Sequence, residues 1–162
     1  QVFQEISSSS ASGEVPRRTY HLIEEDLNAF LLQKLRDQPH PGVDSVILRL
    51  FQNRIVALVQ VDMDKLKVET DITTSLFLSF FNGKQTLKLE GQLKVEDGRG
   101  RYTLQRTEIN GIEVRSSVVG AVLTALGRKH NPPFDPNSSF EMPYDIKAID
   151  IQLGQAAIRT GS

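Results

Sequence analysis

The 162-residue sequence contains no cysteine and no tryptophan. Without a thiol there is no disulfide staple, no thiolate nucleophile and no cysteine metal ligand, and the chain suits an oxidising or a reducing compartment equally. An excess of one charge is also lacking: 19 Lys and Arg stand against 20 Asp and Glu, a net charge of -1. No global field therefore recruits nucleic acid or an anionic membrane surface, and any partner is recognised locally. No run of about 18 apolar residues occurs, so no stretch of the sequence has the make-up of a helical membrane span. The G-x-S-x-G elbow, the H-E-x-x-H zinc motif and the Walker loop are missing too, which removes the common hydrolase, zinc and nucleotide signatures. The length is that of one domain with a real core.

What is present is concentrated between Ser75 and Val95. The apolar cluster Leu76, Phe77, Leu78, Phe80 and Phe81 leads through Asn82-Gly83 into a strictly alternating strand. Leu87, Leu89, Gly91, Leu93 and Val95 share one face, and Lys88, Glu90, Gln92 and Lys94 the other. Looser versions of the pattern recur on both sides. Val43 to Asp62, interrupted at Gln52-Asn53, reads as a hairpin whose second face is partly apolar through Val56 and Leu58. Asp97-Gly98-Arg99-Gly100 is a tight reversal into a partner strand from Arg101 to Glu108. Ile109 to Ile112 breaks that strand, and Tyr144 to Ile158 supplies more strand around Gly154.

Two segments read as helices. Residues 24–36 carry acids in the first turn, bases in the last and an apolar stripe of Leu27, Phe30, Leu31 and Leu35. Residues 116–127 carry Val119, Val122, Leu123 and Leu126 on one side. Met63 to Thr74 is a mixed connection with room for a helical turn. Strands are sequentially adjacent and outnumber helices, so the expectation is an α+β fold: a long curved antiparallel sheet wrapped around helix 24–36, with a second helix near the C-terminal third. The expected domain covers 17–159, after a flexible Ser-rich segment, 1–16. That segment, with Ser7 to Ser10 and Gly13, has the composition of a linker behind a removed leader or anchor, or behind an arbitrary chain boundary.

In order of elements, Glu24 to Leu31, Leu89 to Leu93, Glu108 to Ile112 before an aliphatic helix, and Met142 to Lys147 before a Gly-containing hairpin resemble the LmeA-like and YceB-like bacterial envelope proteins, related to the TULIP-like lipid carriers. The resemblance runs from about Arg17 to Arg159. It implies an apolar cavity for acyl chains, export to the periplasm or cell envelope, transient membrane contact, no enzymatic activity and no cofactor.

On that reading the candidate lipid-binding residues are Leu27, Phe30, Leu31, Leu76, Phe77, Leu78, Phe80, Phe81, Val119, Val122 and Leu123, for each of which ordinary core is the simpler reading. The ligand is a lipid or other elongated apolar molecule. The competing class is an interaction module of the envelope that uses a sheet edge to take up a partner strand. Among polar candidates, His21, His40 and His130 are isolated in sequence and read as surface side chains. Asp62 and Asp64 read as a solvated turn, Asn137-Ser138-Ser139 as a polar loop, and Arg99, Arg101, Arg106 and Arg115, interleaved with acids, as a charged surface. The sequence leaves the oligomeric state open.

Overall fold

The computed structural model describes residues 17–66, 79, 81–129 and 138–161. Within them the chain runs β1 (Arg18–Ile23), α1 (Glu24–Asp37), β2 (Val43–Phe51), β3 (Arg54–Asp62), the short α2 (Met63–Leu66), β4 (Lys84–Glu96) and β5 (Arg99–Ile109). It continues with β6 (Ile112–Val114), α3 (Ser116–Lys129), β7 (Phe140–Glu141), β8 (Ile146–Gln152) and β9 (Gln155–Thr160). A curled six-stranded sheet has the order β2-β3-β4-β5-β6, with β7 also on β5, and a three-stranded sheet has the order β1-β9-β8. Every pairing is antiparallel. The α+β class with dominant antiparallel sheet is thus as the sequence indicates.

The hairpin turns follow from local chemistry. Asp97-Gly98 has φ of 50° and 79°, and Asn110-Gly111 has 49° and 80°. Positive φ at both positions is the two-residue turn whose twist matches the flanking strands, and Asp-Gly and Asn-Gly are its preferred pairs. The second turn breaks the strand at Ile109, as the sequence reading has it, and adds a short strand the sequence does not indicate: β6 folds back onto β5, with Ile109 opposite Ile112.

The alternation in β4 also holds: Leu87, Leu89 and Val95 are buried on the inner face. Opposite them on β5 the inner face is Ile109 and Thr107, then Leu104, Tyr102 and Gly100, because the register shifts where Glu90 pairs with Arg106 but Gly91 with Leu104. The extra residue, Gln105, flips the parity of the strand, and such a bulge adds twist. Gly91 makes room at this point. A Cβ there would lie 2.7 Å from the Tyr102 ring and hydroxyl and would run into the Thr103 carbonyl oxygen.

Two covers close the inner face. Val119 and Val122 of α3 pack on Val61, Leu87, Leu89, Ile109 and Val114. The small sheet covers the rest, placing Tyr20, Leu22, Ile146 and Ile158 with Val95, and Ile151 and Ala156 with Leu50. Each fully buried aliphatic side chain contributes about 1.5–3 kcal/mol relative to exposure. Backbone bonds stitch the sheets together where the hairpin tips meet β8: Asn53 N–H donates to the Ile151 carbonyl at 3.1 Å and Gly98 N–H to the Lys147 carbonyl at 3.3 Å. Gly154 N–H donates to the Leu50 carbonyl at 2.9 Å.

Helix α1 is not the hub of the curve, for it has no buried residue. It lies along the outer edge of β2, where unpaired N–H and C=O groups need partners. The Asn28 side-chain amide donates to the Leu48 carbonyl at 2.9 Å and accepts from the Leu48 N–H at 2.7 Å. The Glu24 carboxylate accepts from the Leu50 N–H at 2.9 Å and pairs with Arg49 at 3.1 Å. On the outer face of the β2–β3 hairpin, Val56 is buried between its cross-strand neighbours Arg49 and Glu90, whereas Ile47 is 44% exposed.

Candidate functional site

Among the described residues the two covers do not meet over the middle of the large sheet. Between α3 and the second half of β5 lies an opening of about 530 Å³ lined by Tyr102, Leu104, Leu123, Gly120 and Ala121, with Arg101, Ser116, Ser117 and Thr124 around it. Local sequence builds this gap. The bulge at Gln105 turns Tyr102 and Leu104 inward, and the small residues at 120 and 121 keep the helix face low opposite them. A Cβ added at Gly120 would meet no atom within 4 Å. The Thr124 hydroxyl donates to the Gly120 carbonyl at 2.8 Å, so its proton is directed into the helix.

Tyr102 is the polar group at the floor of the gap. Its hydroxyl is buried and has no hydrogen-bond partner. Burial, reinforced by the nearby Glu90 carboxylate, pushes the phenol pKa up to about 12. Both causes disfavour the phenolate, so Tyr102 is a neutral phenol at neutral pH and presents its ring to the opening.

The sequence-derived candidates divide into three groups. Val119 and Val122 are 0% and 2% exposed and belong to the α3 cluster, against which Phe81 and Leu123 pack half-buried. Of these, Leu123 lines the opening. Leu27 is half-buried and touches both clusters of the small-sheet side. Phe30 and Leu31 are half-buried on α1, with the Lys34 ammonium 5.5 Å from the Phe30 ring centre. Leu76, Phe77, Leu78 and Phe80 lie outside the described residues, as do residues 1–16. Tyr102 and Leu104 were not singled out by sequence reasoning. The signal for them is the change in parity along β5, legible only once the Asp97-Gly98 turn and the Leu87–Ile109 pairing are both known.

Asp62 and Arg106 among the polar candidates have structural employment. Asp62 accepts the Asp64 N–H at 3.1 Å and lies 3.8 Å from the Lys65 ammonium, at the start of α2. Arg106 bridges Glu108 at 3.4 Å and Glu113 at 3.1 Å. His21 is exposed on β1, and His130 and Asn137 lie outside the described residues. Among the described residues no group of three or more His, Cys, Asp or Glu is placed to hold a metal ion, and no helix is long and apolar enough to cross a membrane.

Fold and site together define the class: an antiparallel α+β protein whose sheet carries an apolar face that two separate covers leave partly open. No protein-family model matches the chain, and no curated protein is significantly similar to it in sequence.

Proposed function

We infer that the protein binds, without chemical conversion, a lipid or other elongated apolar molecule in the bacterial cell envelope. The observation that carries this reading is the gap of about 530 Å³ over Tyr102, Leu104 and Leu123. Ligand pockets typically enclose about 300–1,000 Å³ and are mostly apolar with few polar groups. Here the floor is aromatic and aliphatic, and Arg101 with the hydroxyl residues stands at the rim, an arrangement suited to a chain with a polar end. In this reading α3, rather than α1, is the helix about which the sheet curls. Burying a methylene is worth about 0.8 kcal/mol relative to water, but a tail in a bilayer is already dry, so exchange between membrane and gap needs no energy source. The envelope setting rests on the family resemblance alone.

The test is native mass spectrometry of gently purified protein, with lipid analysis of the extract, beside the variant Gly120→Leu. The added side chain fills the gap where a Cβ has free space, and the helix gains about 1 kcal/mol from replacing glycine. A stoichiometric adduct on the natural chain that is lost in Gly120→Leu supports the reading. A bare mass that stays bare after incubation with envelope lipids sinks it.

A second reading has its own observation. Strand β5 is paired on its outer side by β7 at residues 99–100 and by β6 at 107–109, so that, among the described residues, 101–106 form an edge without a strand partner beside α3. Such an edge takes up an extended peptide as an added strand. Protection of the amides of 101–106 from hydrogen exchange by a bound protein, with no lipid adduct, would favour it.

A further inference from the structure

A larger opening, of about 890 Å³, lies at the end of the small sheet and shares no lining residue with the gap beside α3. Four cationic side chains line it, Arg17, Arg18, Lys147 and Arg159, against the two carboxylates of Glu96 and Asp97. Lys147 is paired with Asp145 at 2.6 Å, whereas neither Arg18 nor Arg159 has an acidic partner among the described residues. A guanidinium without a carboxylate beside it has unused donors in the fork geometry that matches phosphate.

A second, independent observation concerns Thr160, which lines the same opening directly across from Arg18 in the β1–β9 register. Thr160 is 3% exposed and its hydroxyl has no hydrogen-bond partner. An unpartnered buried hydroxyl is costly, and in native proteins it usually marks the place of an unseen water, ion or ligand. The other fully buried threonine, Thr107, shows the ordinary solution by donating to the Val114 carbonyl at 2.8 Å.

We propose that this opening binds a phosphate group, held by the guanidinium group of Arg18 and by Thr160, which shares its face of the β1–β9 pair, as a hydroxyl donor, with Arg159 reaching the same opening from the other face of β9. Free pyrophosphate and a phospholipid headgroup share this chemistry. The site does not depend on the apolar-ligand reading, because the two openings are separate.

The experiment titrates the full chain with inorganic pyrophosphate, following amide shifts, and with vesicles of phosphatidylcholine with or without phosphatidylglycerol, following flotation. Three variants run beside it: Arg18→Gln/Arg159→Gln, Thr160→Val, and the charge-matched control Arg36→Gln/Lys94→Gln, whose two targets are exposed side chains like those of the first pair. The expected result is shifts at 18–19, 147–148 and 159–161, and binding weakened about tenfold or more by the arginine pair but not by the control. Thr160→Val should weaken it less, without loss of folding. Binding of pyrophosphate identifies a soluble phosphate as the ligand, and binding only of phosphatidylglycerol vesicles identifies a headgroup. Either supports the site if the arginine pair abolishes it. Absence of binding to both probes, or equal loss in the charge-matched control, overturns it. Gly120→Leu should leave phosphate binding unchanged, so failure of one site is read separately from failure of the other.

Discussion

Over Val61, Leu87, Leu89 and Ile109 the large sheet is closed by a helix whose Val119 and Val122 fill the gaps between strands, and the buried hydroxyl of Thr107 there has its acceptor. Over Leu50 and Val95 it is closed instead by a second sheet, held partly by backbone bonds from three turns, and two buried hydroxyls there, on Tyr20 and Thr160, have none. The helix half is a finished apolar core, which is what stability asks for. The sheet half leaves two buried hydroxyls unpartnered among the described residues. The openings follow the same division: one lies at the seam beside α3, and the other at the open end of the small sheet.

The largest expected effect breaks the comparison most directly. Ile109, 1% exposed, sits in the helix half, and Ile149, half-buried, sits between the two clusters of the sheet half. Ile109→Ala should destabilise by about 4 kcal/mol, and Ile149→Ala by about half of that, because the cost of removing methyl groups scales with the burial and the cavity left behind. Urea unfolding of both variants measures this. Equal losses would mean that the sheet half is packed as tightly as the helix half.

Next in size is the threonine pair. Thr107→Val leaves the Val114 carbonyl without its donor in a buried place, at a cost of about 1–2 kcal/mol. Thr160→Val removes a hydroxyl that has no partner to lose, so its effect should stay within about 0.5 kcal/mol or be stabilising. A loss at Thr160 as large as at Thr107 would mean that its hydroxyl is already satisfied in solution, by water or by a ligand carried through purification. Dialysis against phosphate-free buffer separates those two.

How much of this was legible beforehand depends on the range of the interactions. The alternation of Leu87, Leu89 and Val95 and the Asp97-Gly98 turn are local, and both are in place. The position of α1 was not local. Its stripe of Leu27, Phe30, Leu31 and Leu35 looks like that of a central helix, yet Asn28 and Glu24 settle it on the edge of β2 by bonding backbone groups 20 and 26 residues further along the chain. The β1–β9 pairing joins the two ends of the described chain, and nothing in either strand announces the other. The gap beside α3 was missed for a similar reason. Tyr102 and Leu104 face inward only because Gln105 is an extra residue, and a bulge cannot be seen in one strand without its partner.

The smallest effect belongs to the seam between the halves. Tyr102 stands on β5 between Leu104, which packs toward α3, and Gly100, and its ring lies against Gly91. Its pKa is raised from 10 to about 12 in the folded chain. Between those values the unfolded chain has released the phenolic proton while the folded chain still holds it, so unfolding releases a proton and stability falls as pH rises through this window. Below pH 10 the residue contributes no pH dependence. Tyr102→Phe keeps the ring over Gly91, removes a buried hydroxyl that has no partner, and should leave stability at neutral pH unchanged or slightly higher. Its diagnostic is the difference between the two melting curves: the natural chain should lose stability relative to Tyr102→Phe only as pH climbs from 10 toward 12. Parallel curves over that range would mean that the phenol is solvated, that water fills the gap beside α3, and that the site is too wet for an apolar chain.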